Sequence, residues 1–198
     1  PLNSLRFINE YLTAANRKLV QGGVLVGSFI PHELRWIHFC ERYPRVVARV
    51  FYFFEFLWKR VFPKTPLLSR LYYYFTKGRN RLFSFAQGLG RLYYCGFEVI
   101  AMQIVSDRVH FAVARVKNPS DIKNPSYGLF FRQPRVGRNG KIVRIYKMRT
   151  MHPFSEYLQQ YVYEQNQLKE SGKFEDDFRI TGWGKVIRKL WLDELPQL

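Results

Sequence analysis

The chain has 198 residues, enough for one large or two small domains, and 47% of them are hydrophobic, which supports a packed core and excludes wholesale disorder. Its net charge of +17 calls for an anionic partner, whether nucleic acid, phospholipid headgroups or a phosphorylated substrate, and is uneven: +12 over residues 1–118 and +5 over residues 119–198. Two cysteines, Cys40 and Cys95, make no metal or disulfide framework, and the lack of any run of about 18 apolar residues leaves no transmembrane helix to expect.

The chain opens on Pro1 and closes inside a motif, so a segment of a longer protein is expected, with no signal peptide to be read in it. Residues 2–20 show the helical spacing Leu5, Ile8, Leu12, Ala15, Leu19, and Gln21-Gly22-Gly23 ends that helix. Val24 to Ile30 is a short apolar run that reads as a buried strand. Residues 31–45 carry no clear pattern. Over 46–62 a wide, aromatic helical stripe appears (Val46, Val50, Phe53, Phe54, Leu57, Trp58, Val61), interleaved with Arg45, Arg49, Lys59 and Arg60 and stopped by Pro63 and Pro66. Between Arg42 and Arg81 there are 10 Lys and Arg against one acid, and 12 aromatic residues, including the run Tyr72 to Phe75. Two readings of 46–62 stand. It packs on its own domain, or it lies in a membrane interface, with Phe53, Phe54, Leu57, Trp58, Lys59 and Arg60 as the contact residues.

Arg81 to Tyr94 reads as a helix with Leu82, Phe85, Leu89 and Leu92 in register, ended by Cys95-Gly96. Phe97–Ile104 and Val109–Lys117 read as a hairpin turned at Ser106-Asp107-Arg108. This order of helix, Gly-Gly, strand, long insert, helix and hairpin resembles the C-terminal half of a class I methyltransferase fold over residues 1–117. The glycine-rich cofactor loop of that fold would lie upstream, so no methyltransferase site residue is carried over. Residues 118–125, within Lys117-Asn118-Pro119-Ser120-Asp121-Ile122-Lys123-Asn124-Pro125-Ser126, form a linker by composition. Beyond it, Ile142–Met148 reads as a strand after the Asn139-Gly140 turn, and Ser155–Lys169 as a helix capped by Ser155, with Leu158, Tyr161, Val162 and Leu168 on its apolar face and Gly172 closing it. Gly182 and Gly184 mark a turn before a helix over 185–195, on which Arg188 lies about one turn ahead of Asp193.

Adjacent carboxylates beside a cation suit phosphate chemistry: one can attack phosphorus, its neighbour can hold a divalent metal, and the cation can take anionic oxygens. An isolated Asp-Glu pair is also a common surface feature. The wording around it is more specific. Phe130-Phe131-Arg132-Gln133-Pro134-Arg135-Val136-Gly137-Arg138-Asn139-Gly140-Lys141, Ile145-Tyr146-Lys147-Met148-Arg149-Thr150-Met151, Asp177-Phe178-Arg179-Ile180-Thr181 and Leu192-Asp193-Glu194-Leu195-Pro196-Gln197-Leu198 follow one another in order. Together they resemble the bacterial sugar transferases, the monotopic phosphoglycosyl transferases, over about residues 126–198. The resemblance implies transfer of a sugar 1-phosphate from a nucleotide sugar of the UDP type to polyprenol phosphate, with Mg²⁺, by a peripheral or monotopic protein at the cytoplasmic face of a bacterial inner membrane. It implies Asp193 as nucleophile and Glu194 as its partner in metal or proton handling, both available to the metal, with Arg188 as the phosphate-binding arginine. The basic residues Arg132, Arg135, Lys147 and Arg149 would offer a surface for substrate phosphates or form one basic strand face.

Two departures from the family pattern stand out. The long apolar re-entrant helix usual before the Phe-Phe-Arg-Gln block is replaced by the linker and hairpin, and Trp191 stands where a small polar residue is usual. The expected fold is α/β: a Rossmann-like, methyltransferase-type half-domain over 1–117 with a basic aromatic insert, then the front part of a small α+β sugar transferase domain over 126–198, weak or inactive by itself. The alternatives are a basic membrane- or RNA-binding module with vestigial catalytic features, and a methyltransferase. No nucleic-acid motif appears, and His32, His38, His110 and His152 show no ligand spacing.

Overall fold

The computed structural model describes residues 1–65, 68–79, 81–121, 128, 130–165 and 177–197, and the architecture is mixed α/β. The chain divides into two compact units, Pro1–Asp121 and Ile122–Leu198.

In the first unit three strands, β1 (Val24–Phe29), β2 (Phe97–Val105) and β3 (Arg108–Arg115), form an antiparallel sheet in the order β1-β3-β2. The central strand β3 shows the period of two: Val109, Phe111 and Val113 are buried while His110 is exposed. The two-residue turn between β2 and β3 holds Ser106 at φ 56°, and a bulge between Val99 and Ala101 lets the ladder absorb Ile100. Strand β1 corrects the expectation of a buried run. It is an edge strand whose Val24 and Val26 are exposed, because among the described residues only its β3 side is paired and only its Phe29 end enters the core.

That core is aromatic. Phe29 sits within 5.6–6.2 Å of the rings of Phe83, Phe85 and Phe111, and α5 (Phe85–Tyr94) brings Leu89 and Leu92 in fully buried. Ser84 caps α5, its hydroxyl accepting from the Gln87 N–H at 3.1 Å, and the Glu33 carboxylate accepts from the Phe85 N–H at 3.1 Å. Helix α1 (Ile8–Lys18) is shorter than the expected 2–20. Asn3 is held in a 3₁₀ turn over Leu2–Ser4 by donating to Ile30 O and Arg81 O and accepting from the Ile30 N–H, so Leu5 is extended rather than helical. Asn16 on α1 donates to Cys95 O and Lys117 O, fastening the helix to both ends of the hairpin.

Residues 31–45, which had no readable pattern, hold α2 (His32–Arg42). Then α3 (Arg45–Phe56) continues as a wider π turn over Leu57–Val61 and a 3₁₀ turn over Phe62–Lys64 that contains Pro63, and α4 (Leu68–Thr76) follows. The expected stop at Pro66 lies outside the described residues. No helix among the described residues is long and apolar enough to cross a membrane.

The second unit opens with the hairpin β4 (Phe130–Val136) and β5 (Ile142–Met148), turned where Asn139 and Gly140 both take positive φ, 60° and 73°. After β5, residues 150–152 pair with 179–181 through a Met151–Ile180 bridge, with His152 N–H donating to Arg179 O at 2.8 Å. Phe154 at φ 67° precedes a 3₁₀ turn over Ser155–Leu158 and α6 (Gln159–Gln165). Ser155 is therefore inside the turn and caps nothing; Phe154 stands at the cap position. Leu158 and Val162 are fully buried, whereas Leu168 and Gly172 lie outside the described residues. Helix α7 (Gly182–Lys189) stops short of the expected helix over 185–195. Leu190 leaves helical geometry, Trp191 takes φ 58°, and Asp193 falls in a separate 3₁₀ turn, Leu192–Gln197.

Candidate active site

Strand β5 delivers Lys147, and the chain beyond it delivers Arg149 and Thr150. Because Phe131 pairs with Lys147 and Arg132 with Tyr146, the period of two puts Phe131, Gln133 and Lys147 on one face and Arg132 on the other. Arg149 is largely buried: its Nε donates to Gly128 O at 2.9 Å and its guanidinium lies 5.5 Å from the centre of the Phe131 ring. Burial draws its pKa below the ordinary arginine value, with the nearby Glu156 acting against that shift.

Thr150 joins β5 to α7. Its carbonyl accepts from the Thr181 N–H and from the Thr181 hydroxyl, both at 2.9 Å, and the same hydroxyl caps α7 by accepting from the Gly184 N–H at 3.0 Å. Gly184 is required for this contact, since a Cβ there would stand 2.2 Å from Thr150 O. One turn later Arg188 returns to the same residue, its Nε donating to Thr150 Oγ1 at 2.8 Å. Just before α7, Arg179 makes a two-pronged ion pair with Asp177 (Nε to Oδ1 2.8 Å, Nη2 to Oδ2 2.7 Å), both side chains buried, and Arg179 also donates to Gln159 at 2.8 Å.

The left-handed turn at Trp191 then reverses the chain and returns the 3₁₀ segment toward β5. Glu194 Oε1 accepts from Lys147 Nζ at 2.6 Å. The result is an open cavity of about 480 Å³ lined by Lys147, Arg149, Thr150, Arg188, Asp193 and Glu194, with Phe131, Gln133, Glu156 and Trp191 on its walls. Among the described residues, the Asp193 carboxylate has neither a hydrogen-bond nor an ion-pair partner, and the terminal nitrogens of Arg188 are equally uncommitted.

Of the residues singled out in the sequence, the structure therefore brings together Lys147, Arg149, Arg188, Asp193 and Glu194. Arg132 is excluded by strand parity. Arg135 sits farther along β4, exposed and donating to Gln133 at 3.4 Å, and does not line the cavity. Among the proposed interface residues, Phe53 and Phe54 are exposed. Trp58 packs on Phe62 and Tyr72 at 5.3 and 5.6 Å, Lys59 pairs with Glu55, Arg60 reaches back to Leu82 O, and Leu57 is half-buried. Sequence reasoning missed Thr150, Thr181 and the Asp177–Arg179 pair. A Thr directly before a Gly-rich helix start was the available signal for Thr181.

A carboxylate and a guanidinium that line one open cavity, both uncommitted among the described residues, can receive a phosphorylated group and attack it. Comparison with known proteins points the same way. The family model described as bacterial sugar transferase matches residues 97–198, beginning at the hairpin that the sequence reading had grouped with residues 1–117. Galactosyl transferase CpsE of Streptococcus agalactiae is 50% identical over 68 residues, 34% of this chain and 15% of that protein. The UDP-N-acetylgalactosamine-undecaprenyl-phosphate N-acetylgalactosaminephosphotransferase of Aeromonas hydrophila is 44% identical over 69 residues, 35% and 14% respectively. The exopolysaccharide production protein ExoY of Sinorhizobium fredii is 37% identical over 75 residues, 35% and 33%. The chain thus spans a third or less of the length of these relatives.

Proposed function

Since the chain belongs to the bacterial sugar transferase family, we propose that it carries the nucleophile of a phosphoglycosyl transferase, which moves a sugar 1-phosphate from a nucleotide sugar to polyprenol phosphate and so begins polysaccharide or glycoconjugate assembly. The observation that carries this reading is the Asp193 carboxylate, without a hydrogen-bond or ion-pair partner among the described residues, in a cavity shared with Arg188 and Lys147. The names of two relatives, undecaprenyl-phosphate phosphotransferases from Aeromonas hydrophila and Salmonella typhimurium, support it.

The chemistry follows from the charges. An Asp193 oxygen attacks the sugar-side phosphorus of the nucleotide sugar, and the bond from that phosphorus to the bridging oxygen breaks. The nucleoside monophosphate leaves with the electron pair and the sugar phosphate stays on Asp193 as an acyl phosphate. A phosphate oxygen of polyprenol phosphate then attacks the same phosphorus, breaks the bond to the carboxylate and restores Asp193. Arg188 meets the non-bridging oxygens with its terminal nitrogens while Thr150 holds its Nε in place. Lys147 fixes Glu194 beside Asp193.

The residues fit a hard divalent cation. Asp193 has both oxygens open and Glu194 has only Oε1 engaged among the described residues, and Mg²⁺ is commonly held by one or two carboxylates together with substrate phosphates. Bound there, Mg²⁺ would neutralise phosphate charge. The acceptor's polyprenyl chain places the work at a membrane, and the reading extends to a peripheral or monotopic protein at its cytoplasmic face. The same proposal takes residues 1–117 as the C-terminal half of a methyltransferase-type domain, a reading supported by the antiparallel hairpin β2–β3 beside β1.

The test is intact-mass spectrometry of a full-length protein carrying this chain, quenched with UDP-sugar in the absence of acceptor. A sugar-phosphate adduct on Asp193 is expected, and Asp193→Asn should abolish both adduct and turnover. Glu194→Gln should slow turnover, and Arg188→Ala should lower the rate by on the order of 10²-fold. An adduct on another residue, or undiminished turnover by Asp193→Asn, overturns the assignment.

A further inference from the structure

We propose that the outer face of α3 and α4 is a seat for an anionic lipid bilayer, on which the first unit lies without crossing it. At the helical period Val46, Val50, Phe53 and Phe54 fall on one side of α3, and they are 73, 51, 56 and 64% exposed. The opposite side of that helix is already satisfied. Ala48 is buried, Tyr52 packs edge-on against Trp36 at 5.1 Å, and Glu55 pairs with Arg35 and Lys59. Helix α4 repeats the pattern: Tyr72 is buried with its hydroxyl donating to Arg79 O, while Leu71, Tyr74 and Phe75 are exposed. A helix that satisfies its core with one side and presents valine and phenylalanine on the other has two apolar faces, and the outward one is left exposed among the described residues.

Charge selects the occupant. Arg45 and Arg49 are exposed on α3, Arg42 just before it and Arg70 on α4, and the single acid between Arg42 and Arg81, Glu55, is turned inward and paired. Aromatic and aliphatic side chains on one side with cations beside them are what an in-plane interfacial helix requires, the cations meeting lipid phosphates and the rings entering the headgroup boundary. No described helix is long and apolar enough to cross. The surface lies outside residues 97–198, so the inference goes beyond the family match and needs no catalysis.

Flotation of the full chain with vesicles of phosphatidylcholine containing phosphatidylglycerol, against phosphatidylcholine alone, tests it. Wild type should float with the anionic vesicles at low salt and less at high salt. Phe53→Glu/Phe54→Glu should weaken binding by about tenfold or more. Arg45→Glu/Arg49→Glu should remove the preference for anionic vesicles. All four positions are exposed, so circular dichroism should be unchanged. Asp193→Asn should float like wild type, which separates lipid binding from chemistry. Absence of flotation with anionic vesicles, equal flotation by Phe53→Glu/Phe54→Glu, or a wild-type dimer that this pair makes monomeric without any vesicle binding overturns the proposal, the last in favour of a second copy of the chain.

Discussion

At the scale of single residues, the buried Asp177–Arg179 pair has the sharpest energetic consequence. Both groups are removed from water and compensate one another through two short bonds, so truncating one leaves the other charged and stranded. Arg179→Ala should lower unfolding stability by about 3–5 kcal/mol, read as a fall in the urea midpoint. A loss below about 1 kcal/mol would mean that water replaces the guanidinium. This pair was invisible in the sequence, because two residues spaced i and i+2 outside a helix carry no periodic signal. Arg132 teaches the opposite lesson. Its exclusion from the cavity was legible, since counting by twos from Lys147 and its partner Phe131 separates it from Gln133.

At the scale of elements, α7 shows where a pattern misleads. Val186, Ile187, Leu190, Trp191 and Leu195 keep helical spacing past the point where the helix ends, so periodicity carried the expectation through to Leu195. What stops α7 is the left-handed backbone at Trp191, a conformation no hydrophobic pattern announces. The start of α7 depends instead on one close approach. Gly184→Ala should cost about 2 kcal/mol or more, because the added methyl meets a main-chain carbonyl that cannot yield without moving β5. Gly182→Ala, two residues away with nothing within 4 Å of the new Cβ, should be neutral or stabilising by up to about 1 kcal/mol. Equal unfolding midpoints for the two variants would show that α7 does not dock through Thr150. The hairpin β2–β3 and strand β5 were, by contrast, plain in the sequence, the latter because Asn139-Gly140 admits the positive φ angles that a tight turn needs, whereas β4 was not read as a strand.

At the scale of the whole molecule, the chain divides into two compact units, and the composition shift over 117–126 was the sequence signal for two bodies. The surface was less legible. An apolar helical stripe reads alike whether it faces a core or a bilayer, and only the second, buried side of α3 tells the two apart. The bare edge of β1 has a practical consequence of another kind. Val24 and Val26 flank a row of main-chain donors and acceptors with no strand beyond them among the described residues, which is a template for stacking one molecule on the next. Concentrated samples should cloud on storage, by a route distinct from vesicle binding. Val26→Lys puts a charge on that edge and should lengthen the lag before light scattering rises, without moving the unfolding midpoint. An unchanged lag would place the growth of those particles elsewhere on the surface.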